Sequence, residues 1–162
     1  MPLDRSSADP RALRDMFGQF ASGVTVIASG DADDVHAMTA NAFMSVSLNP
    51  PLILVSLQNE SRMRTRIDRD SRFGVSILAA DQEAASDHFA GRTEAEAAVR
   101  FRLQNDTPVL EGALAWMACT VETVCPAGDH TLFIAHVDDY DQTSGAPLLF
   151  FGGQYRSLDQ EA

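Results

Sequence analysis

Small polar side chains recur at alternate positions between Met38 and Leu48, just before an apolar run. In an extended segment, alternate side chains point to opposite faces, so one face would carry Thr39, Asn41, Phe43, Ser45 and Ser47. A buried hydroxyl or amide needs a hydrogen-bond partner, and a flat polar ligand would supply such partners. The pattern indicates either a ligand-binding strand or an ordinary half-exposed strand, and this segment alone leaves both open.

A second group of candidate ligand residues follows the next apolar strand. Five of the twelve arginines lie between Arg62 and Arg72, directly after Asn59 and Ser61. Either Asn59 or Ser61 can cap a helix that runs to about Asp70. A helix N-terminus with nearby arginine side chains suits a phosphate group. The alternative is that Ser61 only caps the helix, while the arginines pair with neighbouring carboxylates on a solvated face.

Histidine and cysteine residues are the remaining candidates for chemistry. His130 begins a predicted strand directly after a turn, where it can contact a substrate or simply lie at the surface. Cys119 and Cys125 are about 20 Å apart on one predicted strand, too far for a disulfide, and we expect both to be small buried apolar residues. Cys125 faces His130 and Cys119 faces His136 in the predicted hairpin. These pairs are also about 20 Å apart, which excludes a shared zinc ion.

Composition limits the class of protein. The 162 residues suit one domain, and the net charge of −11 argues against a nucleic-acid partner. No apolar run approaches the roughly 20 residues of a membrane span, and the first ten residues lack the apolar segment of a signal peptide. We therefore expect a cytoplasmic protein that does not associate with membranes. Residues 1–10 should be frayed, and residues 11–162 should form a single domain.

The elements that would position these residues are mostly strands. Helices are expected at residues 10–21, 61–70, 81–89 and 93–99, and strands at residues 24–28, 38–48, 52–57, 73–78, 113–124, 130–140 and 147–151. The even-numbered residues from Met38 to Leu48 should face the core. Short turns between successive strands favour an antiparallel barrel with helices packed outside. Because the chain has no nucleophile elbow, P-loop or dinucleotide fingerprint, a cofactor would have to carry any reaction.

Several short motifs occur in a characteristic order between about residues 14 and 158. They are Phe20-Ala21-Ser22-Gly23-Val24-Thr25-Val26, Met38-Thr39-Ala40-Asn41-Ala42-Phe43, Ser45-Val46-Ser47-Leu48-Asn49-Pro50-Pro51-Leu52, Phe73-Gly74-Val75-Ser76-Ile77-Leu78, His88-Phe89-Ala90-Gly91, Gly128-Asp129-His130, and residues 147–155. In this order and spacing the chain resembles the flavin reductase family. Members of this family have the FMN-binding split-barrel fold, an antiparallel split β-barrel that is mainly β with a few helices.

The resemblance assigns roles to individual positions. Flavin-binding residues would be Thr39, Ala40, Asn41, Ser45, Val46 and Ser47 around the ring and ribityl chain, Asn59, Ser61 and Arg62 at the phosphate, Phe89, Ala90 and Gly91 in a closing loop, and Tyr155 and Arg156 near the carboxyl terminus. His130 would lie beside the nicotinamide. No residue is expected to act as a catalytic acid, base or nucleophile, and no metal is implied.

The resemblance also implies an activity. The chain would transfer hydride from NADH or NADPH to FMN or FAD and supply reduced flavin to a partner monooxygenase, and it would form a homodimer with flavin at the interface. Two alternatives remain open: a flavoprotein that retains its flavin and reduces a ferric chelate or small organic compound, or a non-catalytic flavin-binding module. The choices between FMN and FAD, and between NADH and NADPH, also remain open.

Overall fold

A computed structural model describes residues 8–94 and 98–158. The helices in this range are α1 Pro10–Phe17, α2 Arg62–Asp70 and α3 Glu83–Phe89, with a 3-10 turn at Ala80–Gln82. The strands are β1 Ser22–Gly23, β2 Thr25–Gly30, β3 Val35–Ala40, β4 Phe43–Leu48, β5 Pro51–Gln58, β6 Arg72–Ile77, β7 Phe101–Gln104, β8 Thr107–Leu110, β9 Ala115–Ala127, β10 His130–Gln142, β11 Leu149–Phe151 and β12 Gln154–Arg156.

Seven strands form one antiparallel sheet in the order β3-β2-β6-β9-β10-β5-β4. Strands β3 and β4 lie at opposite edges of this sheet, although only Asn41 and Ala42 separate them along the chain. Three peptide units span at most about 11 Å. The sheet must therefore curl until its edges approach at this corner, which gives an antiparallel barrel that is split between β3 and β4. This confirms the predicted fold class.

Alternate side chains of the strands fill the barrel interior, as the period of two requires. Along β5, Ile53, Val55 and Leu57 are buried, while Leu54 and Ser56 between them are only partly buried. Helix α2 adds Met63 and Ile67, which lie one turn apart on the same helix face and belong to the same buried cluster. This shared core fixes α2 against the barrel.

A second apolar cluster lies on the other side of β2. Consecutive side chains of a strand point to opposite faces, so Ile27 belongs to the barrel core and Val26 to this second cluster. The cluster also contains Val24, Leu78, Ala85, Leu110 and Leu148. It joins α3 and the three-stranded sheet β1-β11-β12 to the outer face of the barrel, and it thereby places them beside the end of β3.

The prediction of one continuous strand over residues 38–48 is wrong. Strand β3 ends at Ala40 and β4 begins at Phe43, and the interruption shifts the alternation by one residue. Phe43, expected on the polar face, therefore packs against the barrel core. Met44, Val46 and Leu48, expected in the core, are instead 55%, 45% and 94% exposed.

Other predicted boundaries also need correction. Helix α1 ends at Phe17 rather than at residue 21, and Asp81 lies in the 3-10 turn before α3 instead of capping it. The hairpin of β7 and β8 and the last strand, β12, were not predicted. Asn105 and Asp106 form the hairpin turn with positive φ angles of 47° and 57°, which suits the type I′ geometry that asparagine and aspartate favour.

Some predictions fall partly outside the described residues. Of the expected helix at residues 93–99, residues 95–97 are not described, and the described residues on either side are not helical. Of the expected frayed amino terminus, residues 1–7 are not described, and Pro10 already belongs to α1.

The described ranges contain no helix long and apolar enough to cross a membrane. Residues 8–94 and 98–158 also bring together no cluster of three or more His, Cys, Asp or Glu side chains that could hold a metal ion. The two cysteines are free: Cys119 is buried, as predicted, whereas Cys125 is exposed, contrary to the prediction.

Candidate functional site

The end of β3 forms one wall of a cavity of about 160 Å³, which we call the β3 cavity. Its other walls come from α3, the loop that follows α3, and the β11 and β12 hairpin. The lining residues are Val24, Thr39, Ala40, Asn41, Ser86, Ala90, Arg92, Phe150 and Tyr155. The cavity therefore brings together five of the predicted flavin-binding residues: Thr39, Ala40, Asn41, Ala90 and Tyr155.

Hydrogen bonds join the walls of the β3 cavity. The Thr39 hydroxyl donates to the Ser86 carbonyl at 2.6 Å, and the Tyr155 hydroxyl donates to Asp87 Oδ1 at 2.8 Å. Ser86 Oγ lies 2.7 Å from the Tyr155 oxygen. Since the single Tyr155 proton goes to Asp87, the Ser86 hydroxyl must be the donor in this pair. The network connects β3, α3 and β12 into one rigid wall.

The environment of Tyr155 keeps its hydroxyl protonated. Burial raises its pKa above the usual value, the hydrogen bond from Ser86 opposes this shift, and the Asp87 carboxylate adds to it. Because its proton is donated to Asp87, the neutral phenol oxygen offers a ligand at the cavity wall an acceptor lone pair rather than a donor. Tyr155 is thus suited to fixing a polar ligand rather than to exchanging protons with it.

Asn41 differs from Thr39 in its availability. The Thr39 hydroxyl is occupied by Ser86, whereas Asn41 is exposed at the corner between β3 and β4 and lines the cavity. Its amide offers both a donor and an acceptor to a polar ring edge. The hydrogen-bond partner that the sequence required for the Thr39 hydroxyl is thus supplied by the protein itself.

The other predicted residues of this segment lie on the opposite edge of the barrel. Ser45, Val46 and Ser47 belong to β4, which among the described strands pairs only with β5 and has an irregularity between Ser45 and Ser47. None of the three lines the β3 cavity.

The predicted loop Phe89-Ala90-Gly91 divides in the same way. Ala90 lines the cavity, and Gly91 turns the chain with a φ of +69°. The Phe89 ring instead packs edge-on against Phe101 at 5.7 Å, within the second apolar cluster. Phe89 therefore stabilises the loop from behind and does not line the cavity.

Arg156 lines a neighbouring, larger depression of about 470 Å³. Tyr155 contributes to both spaces, so its side chain separates them. The second depression is otherwise lined by Ala80, Glu83, Leu148 and Ser157. The predicted pair Tyr155 and Arg156 thus belongs to two adjoining recesses.

The remaining predicted residues, Asn59, Ser61, Arg62 and His130, form a separate group around the β9 and β10 hairpin turn and the start of α2. Asn59 fixes this turn: its amide nitrogen donates to the Gly128 carbonyl at 3.2 Å, and its amide oxygen accepts from the Thr131 hydroxyl at 2.7 Å. Ser61 Oγ accepts from the Arg64 backbone nitrogen and so caps α2. The predicted cap is therefore Ser61.

His130 lies at the edge of this group, with about a third of its side chain exposed. Its Nδ1 is 2.6 Å from Asp129 Oδ1. This contact holds the pKa of the Asp129 carboxyl below its usual range. The carboxylate orients the imidazole ring so that Nε2 is the nitrogen that can face a ligand.

The α2 arginines follow mainly the ion-pair alternative. Arg64 pairs with Asp68 at 3.0 Å, Arg66 with Asp34 at 2.6 Å, and Arg69 with Asp70 at 2.5 Å. Arg62, at the first position of α2, makes no ion pair with any described residue, which leaves its guanidinium available for a ligand at the helix start.

The α2 arginines also affect a histidine on β3. Partial burial lowers the pKa of His36, and the positive charges of Arg62 and Arg66 lower it further.

Sequence reasoning missed four residues of the β3 cavity: Val24, Ser86, Arg92 and Phe150. The motifs quoted above include Val24, Phe150 and Tyr155. These residues come together in space only because β1 pairs with β11, which the motifs do not predict. Arg92 follows the His88-Phe89-Ala90-Gly91 motif directly, so its position was the available signal. Ser86 lies inside an ordinary helix, and nothing in the sequence distinguishes it.

Comparison with known proteins identifies the family of the chain. The family model described as flavin reductase like domain matches residues 17–159. An NADH-dependent flavin reductase of Rhodococcus sp is 49% identical over 153 residues, which cover 93% of this chain and 87% of that protein. The reductase component of 4-hydroxyphenylacetate 3-monooxygenase from Thermus thermophilus is 35% identical over 148 residues, which cover 91% of this chain and 95% of that protein.

A solved structure of similar fold is flavin reductase PheA2 in its native state. It superposes with a TM-score of 0.91 at 46% sequence identity, covering 94% of this chain and 100% of that one. Both the family match and the superposition extend over most of the chain. By its sequence and by its fold, this chain belongs to the flavin reductase like domain family.

Proposed function

We propose that this chain is an NAD(P)H-dependent flavin reductase that supplies reduced flavin to a partner monooxygenase. One observation carries the proposal: the β3 cavity joins Thr39, Ala40, Asn41, Ala90 and Tyr155 in a chain 49% identical to an NADH-dependent flavin reductase. The Thermus relative, named as the reductase component of a monooxygenase, supports the partner.

The donor set of the β3 cavity fits a flavin. The ring system has a polar pyrimidine edge and an apolar benzenoid edge. The cavity offers the Asn41 amide and the Tyr155 hydroxyl on one hand, and the apolar side chains of Val24, Ala40 and Phe150 on the other. Sites for planar cofactors commonly combine apolar walls with a few directed polar groups in this way.

A bound flavin supplies the redox chemistry, since its N5 accepts a hydride from C4 of a reduced nicotinamide. The protein residues bind, orient and exclude water. Asn41 and Tyr155 hold the ring in the cavity, and the rigid network through Ser86 keeps Tyr155 in place. Ser61 and Arg62 hold the flavin phosphate at the start of α2, where free backbone N–H groups favour an anion.

His130 orients the nicotinamide and takes no part in proton transfer. The side chain is partly exposed at the hairpin turn, and Asp129 fixes the ring through Nδ1. The Asn59 hydrogen bonds hold this turn against the end of β5. A rigid turn presents the imidazole in one orientation to an incoming ring.

We also propose a homodimer whose interface contains the β4 strip, defined as Met44, Val46 and Leu48. All three are large apolar side chains exposed on β4, whose one partner in the described part of the chain is β5. An exposed apolar edge strand promotes association unless it is covered. A second copy of the chain would cover it and would also bring together the two groups of predicted flavin-binding residues.

Steady-state kinetics test the proposed reaction. The purified chain should oxidise NADH only when free FMN or FAD is added, and a comparison of both flavins with NADH and NADPH should identify the preferred pair. If added flavin gives no stimulation, the chain is a flavoprotein that retains its cofactor. If no NADH is consumed under any of these conditions, the proposal is wrong and the chain is a flavin-binding module.

Two histidines on β10 form a matched pair for testing the role of His130. His136 is equally exposed and also contacts an aspartate, Asp138, through Nδ1 at 2.9 Å. His130→Ala should raise the KM for NADH about tenfold with little change in the KM for flavin, whereas His136→Ala should change neither. Equal effects of His130→Ala on both KM values would remove its assigned role.

A further inference from the structure

Arg92 is the only charged side chain among the described residues that line the β3 cavity. The other polar lining residues, Thr39, Asn41, Ser86 and Tyr155, are neutral. A guanidinium has a planar set of donors that matches phosphate oxygens, and it stays charged at any working pH. A neutral cavity with one guanidinium at its edge is therefore suited to a polar ring that carries a phosphate.

The chain holds Arg92 in a defined position. Gly91 adopts a positive φ of +69°, and the Arg92 backbone nitrogen then donates to the Asp87 carbonyl at 3.0 Å. The guanidinium carbon lies 5.5 Å from the centre of the Phe150 ring and 5.7 Å from that of Tyr155. Such cation–π contacts orient the guanidinium while leaving its edge open to an anion.

The ionic contacts of Arg92 are loose. Its Nη1 is 3.5 Å from Asp87 Oδ1 and 3.4 Å from the Tyr155 hydroxyl, at the long end of the hydrogen-bond range. Tyr155 donates to the same carboxylate oxygen at 2.8 Å, which weakens the hold of Asp87 on Arg92. By comparison, Arg66 and Asp34 are 2.6 Å apart. With 51% of its side chain exposed, Arg92 can exchange this partner for a phosphate.

Arg92 is separate from the predicted flavin phosphate residues. Thr39 and Met38 point to opposite faces of β3. Met38 packs against the same core as the Met63 side chain of α2, whereas Thr39 faces the β3 cavity. Arg92 and the start of α2 thus flank β3 from different sides. A phosphate bound at Ser61 and Arg62 would leave Arg92 for a different phosphate group.

We propose that Arg92 determines specificity for dinucleotides by binding, at the edge of the β3 cavity, either the second phosphate of FAD, which FMN lacks, or the diphosphate of NADH. This inference rests on the proposed function. FAD and NADH both carry a diphosphate, whereas FMN carries a single phosphate. Arg92 therefore acts on binding and leaves the hydride transfer step itself unchanged.

Binding of oxidised ligands tests the proposal without turnover. Titrations of FAD, FMN and NAD⁺ followed by calorimetry, together with the KM for NADH, should be compared for wild type, Arg92→Gln and Arg92→Lys. Arg92→Gln should weaken binding of FAD, or of the nicotinamide dinucleotide, about tenfold while changing FMN binding less than about threefold. Arg92→Lys should give an intermediate loss, because it keeps the charge and loses the planar fork.

A matched control comes from Arg102 on β7. Its guanidinium also lies over an aromatic ring, 5.5 Å from the centre of Trp116, but it does not line the β3 cavity. Arg102→Gln should leave all affinities unchanged. Loss confined to FAD identifies the flavin diphosphate as the ligand, and loss confined to NADH and NAD⁺ identifies the nicotinamide diphosphate.

Two results would overturn the inference: affinities of Arg92→Gln within about twofold of wild type for every ligand, or an equal loss for FMN and FAD. The proposed function fails separately, if wild type neither binds flavin nor oxidises NADH. A wild type that is an active reductase, with an Arg92→Gln variant indistinguishable from it, would refute only the role of Arg92.

Discussion

Tyr155 is the side chain on which the contacts of the β3 cavity converge. Its hydroxyl links Ser86 and Asp87, its ring packs edge-on against Phe150 at 5.6 Å, and its face lies beneath Arg92. One residue near the carboxyl terminus therefore joins α3, the following loop and β11. Tyr155 positions the neighbouring side chains of the cavity. Its hydroxyl contacts Ser86 and Asp87, whereas its ring contacts Phe150 and Arg92, so a substitution can remove one set of contacts and keep the other.

Tyr155→Phe removes only the hydroxyl. The buried Ser86 hydroxyl then loses its acceptor, which should lower the free energy of unfolding by about 1–2 kcal/mol. Without its link to Asp87 the cavity wall loosens, and flavin should bind about threefold to tenfold more weakly. Urea unfolding and flavin titration measure these effects.

Tyr140→Phe is the control, since Tyr140 is 72% exposed on β10. Equal losses of stability and of flavin affinity in both variants would contradict the role of the Tyr155 hydroxyl.

The two cysteines should differ sharply in reactivity. Burial raises the pKa of the Cys119 thiol to about 12, and the nearby Asp138 carboxylate adds to this shift. Cys125 is exposed near the end of β9. Because the thiolate is the reactive form, a thiol reagent at pH 8 should modify Cys125 within minutes and Cys119 only after unfolding. The number of modified thiols should be counted with and without denaturant. Rapid modification of both cysteines in the native protein would show that the reagent reaches the barrel core, and would contradict the prediction.

At the level of elements, the break between β3 and β4 decides what the site contains. The sequence pattern predicts that Thr39 and Asn41 share a candidate site, and both line the β3 cavity because both precede the corner. Ser45, Val46 and Ser47 do not line this cavity, since the interruption at Asn41 and Ala42 moves the next strand to the other edge of the barrel. Alternation within a segment cannot reveal such a corner, because neither residue is a glycine or a proline.

The close approach of β6 and β8 explains the glycine at position 74. A Cβ atom built on Gly74 would lie 2.0 Å from the Pro108 carbonyl oxygen, whereas one on Gly23 would have no heavy atom within 4 Å. Gly74→Ala must separate two backbones and should lower the free energy of unfolding by about 1–3 kcal/mol. Gly23→Ala should be neutral or raise it by up to about 1 kcal/mol.

Urea denaturation midpoints of the two glycine variants provide the measurement. Both glycines lie in strands and neither has a positive φ, so a difference between the variants isolates the steric contact from backbone propensity. Similar midpoints for Gly74→Ala and Gly23→Ala would mean that β6 and β8 are less closely packed than the structure shows.

At the level of the whole molecule, the antiparallel barrel and its family were predictable because they depend on signals that extend along the chain. The strands β5, β6, β9 and β10 were all located from runs of apolar residues between turns. The composition of the β3 cavity was only partly predictable. It depends on how β1 pairs with β11 and on how α3 packs beside β3, contacts between residues about 50–130 positions apart.

The division of the predicted flavin-binding residues into two groups has a consequence for assembly. One group lines the β3 cavity, while the other lies at the start of α2 and the β9 and β10 hairpin. In the proposed function one group would hold the flavin ring and the other its phosphate, and the β4 strip lies exposed on the barrel edge. A second copy of the chain would both cover the strip and complete the site.

The β4 strip therefore makes a prediction about oligomeric state and flavin binding together. Leu48 is 94% exposed, and Leu48→Glu places a charge where the proposed interface requires an apolar contact. Light scattering after size exclusion should give a dimer for wild type and a monomer for Leu48→Glu, with flavin binding weakened at least about tenfold. Leu103→Glu, on the separate β7 and β8 hairpin and 40% exposed, should remain a dimer with normal affinity. A monomeric wild type that binds flavin normally would show that one chain forms the complete site.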